Sequence, residues 1–476
     1  MQLRDYQEDA INAVRKSFAS GSRAPVLVSP TGSGKTVMFC YIAEQAALKG
    51  NRILILVHRQ ELLDQTCKSL SMMNLRYAQI AAGRTYDPSV PIVVASVGTL
   101  VRRLDTIKKP DLLIVDEAHH AMAGSWKKII DWVKPNRILG VTATPERLDG
   151  KGLKEVFDDL ICGPEVSSLI ERGFLSPVKY FCPPVQFNSK NLRITAGDYN
   201  KKDMAEELDK PAIVGDAVKH YRKVAHNQPA ICFCVSLKAA HAVALEFQKE
   251  GYKWDVIDGT LTPEDRRDLV RKLGRGELHG LSSCEIVSEG FDLPVVSVAI
   301  LLRPTASVSL HLQQIGRVLR AAPNKPHAII LDHVGNVGSM KDGEWTDKHG
   351  IAEEIRDWSL DGRKKKKGAP KPSGSGSQCP NCFAMHFQKT ATCPLCGYTI
   401  EVKVREIQQV DGELVEIQQA SYKKKHEQGS ANTLDALIKI GTQRGYKNPY
   451  VWATHVMNGR KKKQEKRATG VVIGHE

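Results

Sequence analysis

The stretch "APVLVSPTGSGKT", Ala24–Thr36, decides the architecture. Its apolar, β-branched run is unbroken, which is the pattern of a strand buried on both faces and not of one with a wet side. A Gly-rich turn and then Lys35 and Thr36 follow, so the strand feeds a loop that opens a helix. In that setting Gly32, Ser33 and Gly34 let backbone N–H groups face phosphate oxygens at a helix N-terminus. Lys35 then reaches the β- and γ-phosphates, and Thr36 ligates Mg²⁺. Ser29 stands where the general pattern has its first Gly, and a chance Gly-rich turn is the alternative.

Outward from this stretch the theme repeats. "RILILVHRQE", "IVVASVGTL", "DLLIVDEAHH" and "RILGVTATPE" are short apolar runs ending in polar signatures. The segments between them, such as "VMFCYIAEQAALKG" and "ELLDQTCKSLSMMN", carry helical spacing and close on Gly or Asn. Ligands of parallel sheets bind at the carboxyl ends of strands, where all of these signatures fall. A second set follows at 230–236, 253–259, 282–294, 297–304 and 327–335, separated by helical spacing around 238–250, 263–274 and 307–321. The pattern predicts two α/β domains in tandem, 1–160 and 226–345, with a connecting segment at 161–225.

Bulk composition narrows the partners. Across 476 residues, 68 Lys+Arg against 53 Asp+Glu leave a net charge of +15, which suits a polyanion: nucleic acid first, an anionic membrane second. A solvated surface is the plain alternative. No run of 18 apolar residues occurs, and the acidic start "MQLRDYQEDAI" has neither signal nor transit character, so a cytoplasmic protein is expected. Of eleven cysteines, Cys40, Cys67, Cys162, Cys182, Cys232, Cys234 and Cys284 lie in apolar stretches and are expected as buried, reduced thiols.

Two further motifs carry chemistry. "DEAH", Asp116–His119, ends a core strand; Asp116 there can hold Mg²⁺ through water while Glu117 orients or deprotonates an attacking water. "QQIGRVLR", Gln313–Arg320, sets Arg317 and Arg320 three apart, on one face of a helix. They form either a salt-bridged surface or a pair of cations that the second domain offers to a γ-phosphate held by the first. Contacts of the second kind are worth roughly 10³–10⁵ in rate.

The ordered set "LRDYQ", "SPTGSGKT", "VHRQELLDQ", "DEAH", "TAT", "SEGFD" and "QQIGRVLR" resembles the motif series of superfamily-two helicases of the DEAH/DEAD type, from about Leu3 to about Asp332. Within that superfamily, "EGFDLP", "RPTASVSLHLQQIGRVLR" and a trailing Cys-rich module most resemble the RadD-like DNA-repair helicases of bacteria and phages. The resemblance implies an α/β fold of two tandem RecA-like parallel-sheet domains that sandwich ATP and Mg²⁺. It implies that Gln7 reads the adenine edge with Arg4 nearby, that Thr142 and Thr144 couple nucleotide state to domain movement, and that Gly290 and Asp292 contact the nucleotide from the second domain. Gln313 belongs with the two arginines of its motif. His58, Arg59, Ser96 and Thr99 would touch the nucleic-acid backbone; Ser96 and Thr99 could instead cap a helix. The implied function is ATP-driven movement on DNA in replication, recombination or repair. An RNA motor, a recruitment factor acting through its Cys-rich module and the motor of a restriction system are the alternatives.

Past Gly335 the α/β pattern ends. "RKKKKGAPKPSGSGSQ", 363–378, reads as a flexible basic linker. Cys379, Cys382, Cys393 and Cys396 then form C-x2-C-x10-C-x2-C within 379–400, two knuckles that complete a closed four-thiolate site, which is structural and suits Zn²⁺. An iron–sulfur cluster is the alternative. The basic tail, 401–476, is expected as α+β, with a hairpin around Asp411-Gly412 and helices near 431–458. Its Tyr446, Tyr450 and Trp452, interleaved with Arg444, Lys447 and Arg460, form either a base-stacking surface or a small helical core.

Overall fold

The computed structural model describes residues 2–361 except 85, 147–151, 183–191, 196–197, 201–202, 205–210, 285–292 and 342–343, with 377–379, 384–386, 392–399, 433–443, 449–450, 453–454 and 457 beyond. Residues 1–400 and 401–476 form separate units.

Seven strands build the first sheet: β1 (Pro25–Val28), β2 (Ile53–Val57), β3 (Tyr77–Ile80), β4 (Ile92–Ser96), β5 (Leu112–Asp116), β6 (Arg137–Thr142) and β7 (Asp159–Cys162). Their order is β3-β4-β2-β5-β6-β1-β7, with every pairing parallel. The helices of this lobe are α1 (Asp5–Ala19), α2 (Lys35–Ala47), α3 (Gln60–Met72), α4 (Val97–Leu100) and α5 (Gly124–Val133). Alternate residues of the strands enter two separate cores. Val26, Leu54, Leu56 and Val115 lie in one, while Leu27, Ile53, Ile55 and Ile114 lie in the other. Both faces are therefore covered, which is why the strand sequences are continuously apolar.

The stretch expected only to connect the lobes supplies strands to both. β7 flanks β1, and after α6 (Val166–Glu171) the strand β8 (Val178–Phe181) joins the second sheet beside its last strand. A short hairpin, β9 (Ile194–Thr195) and β10 (Asp198–Tyr199), follows, then α7 (Pro211–Ala225). The remaining strands of the second sheet are β11 (Ala230–Phe233), β12 (Trp254–Ile257), β13 (Gly280–Ser283), β14 (Val298–Leu301) and β15 (Ala328–Asp332), in the parallel order β12-β13-β11-β14-β15-β8. Helices α8 (Leu237–Lys249), α9 (Pro263–Gly274) and α10 (Val308–Gly316) belong to this lobe. A hairpin of β16 (Gly338–Lys341) and β17 (Glu344–Asp347) closes it.

The chain then returns to the first lobe. Leu360 packs against the first-lobe core, and its carbonyl accepts from Leu153 N (2.8 Å) and Lys154 N (3.2 Å). Between the lobes Arg266 also pairs with Glu61 at 2.8 Å, a partly exposed contact of small energetic weight.

Two expectations need correction. Cys40, Cys67, Cys182, Cys232 and Cys234 are buried, but Cys284 is only partly so and Cys162 is exposed, because β7 is the outer strand of its sheet. The helix expected at 307–321 ends at Gly316, so Arg317 caps it and Arg320 lies beyond, bridged to Leu175. Ser176 N donates to Leu319 O at 2.7 Å, so an extended neighbour takes over the backbone that a further helical turn would have used.

In the second unit, α11 (Leu434–Gln443) falls within the expected helical region. The hairpin at Asp411-Gly412 and the residues Arg444, Tyr446, Lys447, Trp452 and Arg460 lie outside the described residues. Among the described residues, no helix is long and apolar enough to cross a membrane.

Candidate functional site

The strand β1 delivers the loop Ser29–Gly34 to the carboxyl edge of the first sheet. Gly34 caps α2 with φ +82°, a left-handed turn that costs a glycine little and a residue with Cβ much more. Ser29 Oγ and Ser33 Oγ share a 2.7 Å hydrogen bond, so the serine at the unusual position ties the loop to itself. Lys35 Nζ donates to Ser29 O (3.1 Å) and Pro30 O (3.2 Å). Neutral carbonyls are weaker partners for an ammonium than anionic oxygens are, so an anion reaching Lys35 would compete with them favourably.

Gln7 is fixed against this loop. Its Nε2 donates to Ser33 O at 3.1 Å and its Oε1 accepts from Arg4 N at 3.0 Å. Arg4 lies over the Phe174 ring at 4.6 Å and donates to Tyr6 Oη, whose own hydroxyl donates to Ser33 O at 3.0 Å. Tyr6 and Phe174 were not anticipated. Tyr6 sits within a quoted motif, but Phe174 is brought in by the chain between the lobes, where no sequence spacing marks it.

Asp116 ends β5 and Glu117 follows it, both buried, and Asp116 Oδ1 accepts from Glu117 N at 3.0 Å. Glu117 takes a left-handed φ of 50°, a strained setting for a residue with a side chain and one that recurs at functional sites. Burial pulls the Lys35 pKa down; Glu117 and Asp116 oppose that, and Arg317 and Arg320 add to it. Five charged groups from two lobes thus converge. Three cations and two carboxylates within electrostatic reach of Lys35 suit a triphosphate with a divalent cation.

The second lobe reaches this point through α10 and the residues after it. Gln313 and Arg317 are buried, and a Cβ at Gly32 would sit 3.3 Å from Arg320 Cγ. Lys325, unmarked by any motif, donates to Arg320 O (2.8 Å), Val296 O (2.7 Å) and Pro294 O (3.1 Å), which pins the backbone that carries Arg320. Thr142 and Thr144 are fully buried, and Thr144 Oγ1 hydrogen-bonds Ser309 Oγ of α10. Gly290 and Asp292 lie outside the described residues.

His58 and Arg59 follow β2, and Ser96 ends the adjacent β4, where Val57 and Ser96 are in register. Thr99 lies one turn on, in α4. Ser96 occupies the N-cap position of α4 without a side-chain cap hydrogen bond. The His58 ring lies 5.0 Å from His120, which stacks near Trp126, so the β2 end and the segment after Glu117 are in contact. The four residues form one group on the same edge, separated from the phosphate loop by β5 and β6.

Cys379, Cys393 and Cys396 bring their sulfurs within 4.8 Å of one another, with Cys379 and Cys396 at 3.7 Å. Tetrahedral Zn–S bonds of about 2.3 Å require sulfurs about 3.8 Å apart, which this pair meets. Gly397, after the second pair, has the left-handed φ of 68° that such a turn uses. Cys382 lies outside the described residues.

Residues 1–147 match the family described as the res subunit of type III restriction enzymes, and residues 209–322 match the helicase conserved C-terminal domain. A 51.5 kDa protein of a Lactococcus phage is 35% identical over 410 residues, covering 84% of this chain and 85% of the phage protein. IRC3 of Saccharomyces cerevisiae, named as an ATP-dependent helicase, is 32% identical over 70% of this chain, which spans about half (51%) of the yeast protein's length. Among solved structures, the ATP-dependent Type ISP restriction-modification enzyme LlaBIII bound to DNA superposes with a TM-score of 0.54 at 18% identity, over 70% of this chain and 28% of that one, a likeness of fold.

Proposed function

Given that the chain belongs to the superfamily-two helicases, which hydrolyse ATP, we propose that it is a DNA helicase or translocase of replication, recombination or repair, of the RadD-like kind. The observation that carries this reading is the close approach of the second lobe to the loop that holds Lys35: a Cβ at Gly32 would sit 3.3 Å from Arg320 Cγ, and one at Gly316 2.7 Å from Thr31 Cβ. Lys35 and the Gly32–Gly34 turn hold the phosphates, and Gln7 with Arg4 borders the adenine. Thr36 and Asp116 would hold Mg²⁺, which when bound would neutralise phosphate charge. Glu117 takes a proton from the attacking water. Arg317 and Arg320 meet the charge that develops on the transferred group, so hydrolysis requires the lobes to be closed. His58, Arg59, Ser96 and Thr99 hold the sugar-phosphate track, which suits movement over any sequence. The four cysteines bind Zn²⁺ as a structural site.

The experiment compares ATP hydrolysis with single-stranded DNA, forked DNA and RNA. DNA is expected to stimulate most, and Lys35→Ala to abolish hydrolysis with every nucleic acid; stimulation by RNA alone would reverse the substrate assignment. The match to the restriction-enzyme family favours one second reading, a translocase that serves a nuclease. Strand-displacement assays separate the two, because a translocase hydrolyses ATP on DNA without releasing a strand.

A further inference from the structure

A line of buried polar contacts leads from Glu117 of the first lobe into the second, an ion-pair-range approach to His119 followed by hydrogen bonds. His119 lies 3.4 Å from the Glu117 carboxylate through Nδ1, and the same nitrogen is 3.1 Å from Thr142 Oγ1. The Thr142 hydroxyl donates to Thr144 O at 2.8 Å and accepts from Thr144 N at 3.2 Å. Its single proton is thereby committed, so His119 must donate from Nδ1, which also suits a carboxylate on its other side. Thr144 is held at both its N–H and its carbonyl by that one hydroxyl. Its own hydroxyl is turned across the seam to Ser309 Oγ, and both residues are buried, at 0% and 3% exposure.

Ser309 lies in α10, four residues before Gln313 and eight before Arg317. Residues at that spacing share one helix face, so a shift of α10 that repositions Arg317 also makes or breaks the hydroxyl pair. A buried hydroxyl costs free energy unless it is bonded, so the pair favours the closed arrangement over one that leaves both groups buried and unmatched. We infer that Ser309 is the positioning residue of the second lobe. It registers α10, and with it Arg317, against the nucleotide-sensing segment Thr142–Thr144. This inference rests on the helicase reading and names the partner of its coupling segment.

The test measures nucleic-acid-stimulated ATP hydrolysis and strand displacement for the native chain, Ser309→Ala, Thr144→Val, the double variant and Thr144→Ser. Each single hydroxyl deletion should lower stimulated kcat about tenfold, with KM for ATP within about twofold of native. The double variant should be no worse than the poorer single one, since each removes the same bond. Thr144→Ser keeps the hydroxyl and should hold most of the native kcat. A kcat near native in Ser309→Ala, additive losses in the double variant, or losses that track melting temperature would overturn the inference alone. A native chain whose hydrolysis ignores nucleic acid would overturn the helicase reading, and the inference with it.

Discussion

His333 is buried beside the ring of His220, 5.2 Å between centroids, with Nε2 lacking a partner. Burial, aided by His220, pulls its pKa down to about 3, against an ordinary imidazole near 6.5. Between those values the unfolded chain binds a proton that the folded chain does not, so stability falls as pH drops from about 6.5 toward 3. At pH 5 the loss from this residue reaches about 2 kcal/mol. Urea unfolding of the native chain and His333→Phe at pH 7 and pH 5 checks it: the variant should show the smaller acid loss, and equal losses would remove His333 as the cause. This residue illustrates what spacing hides. Lys35, Asp116 and Glu117 were legible as candidates because their chemistry depends on neighbours in sequence, and Gln7 only through the resemblance of its motif. Phe174, Lys325 and Ser309 were not, because the groups they serve lie far along the chain and meet them only after folding.

Helix α10 shows the same division at the level of elements. Its N-terminus follows local rules, with Ser307 as N-cap accepting from Leu310 N at 3.3 Å. Its C-terminus does not, since the apolar periodicity runs on toward Arg320 while the helix stops where Leu175 and Ser176 pair with the chain. The inner strands, by contrast, were readable, because burial on both faces writes itself as an unbroken apolar run, whereas the outer strands β3, β7 and β8 are only partly buried and were not read. Gly316, the last residue of α10, faces the phosphate loop so closely that a Cβ there would lie 2.7 Å from Thr31 Cβ. Both atoms would be fixed to backbone, so α10 must recede in Gly316→Ala, and Arg317 recedes with it. Misplacing a charge-stabilising group by about 1 Å can cost about 10²-fold, and a loss of ATP hydrolysis of that order is expected. Circular dichroism should stay native, because the substitution favours helix. Unimpaired hydrolysis would mean that this contact does not set the lobe geometry used in catalysis.

At the scale of the molecule, the cysteine module is part of the second lobe. The linker sequence suggested a tethered accessory, yet Ala384 bridges antiparallel to Phe181 of β8, the outermost strand of the second sheet. Cys379, Ala384 and Cys393 are fully buried in the same apolar cluster as Phe181, Tyr221, Phe247 and Trp254. An open sheet edge invites unwanted pairing, and this module covers one. Sequence could not reveal the docking, because neither the cysteine spacing nor the linker composition encodes which surface the module meets. A metal held by these thiolates would therefore contribute to the stability of the lobe that carries Arg317 and Arg320, and not only to a local fold. Chelation, or Cys393→Ser, should lower the melting temperature of the chain. A loss of about 3 kcal/mol corresponds to about 6–12 °C for a lobe of this size. ATP hydrolysis should decline on the same temperature scale, while added Zn²⁺ restores the native chain and not the variant. If chelation releases zinc and neither the melting curve nor hydrolysis moves, the module is docked without supporting the motor, and its metal serves contacts elsewhere.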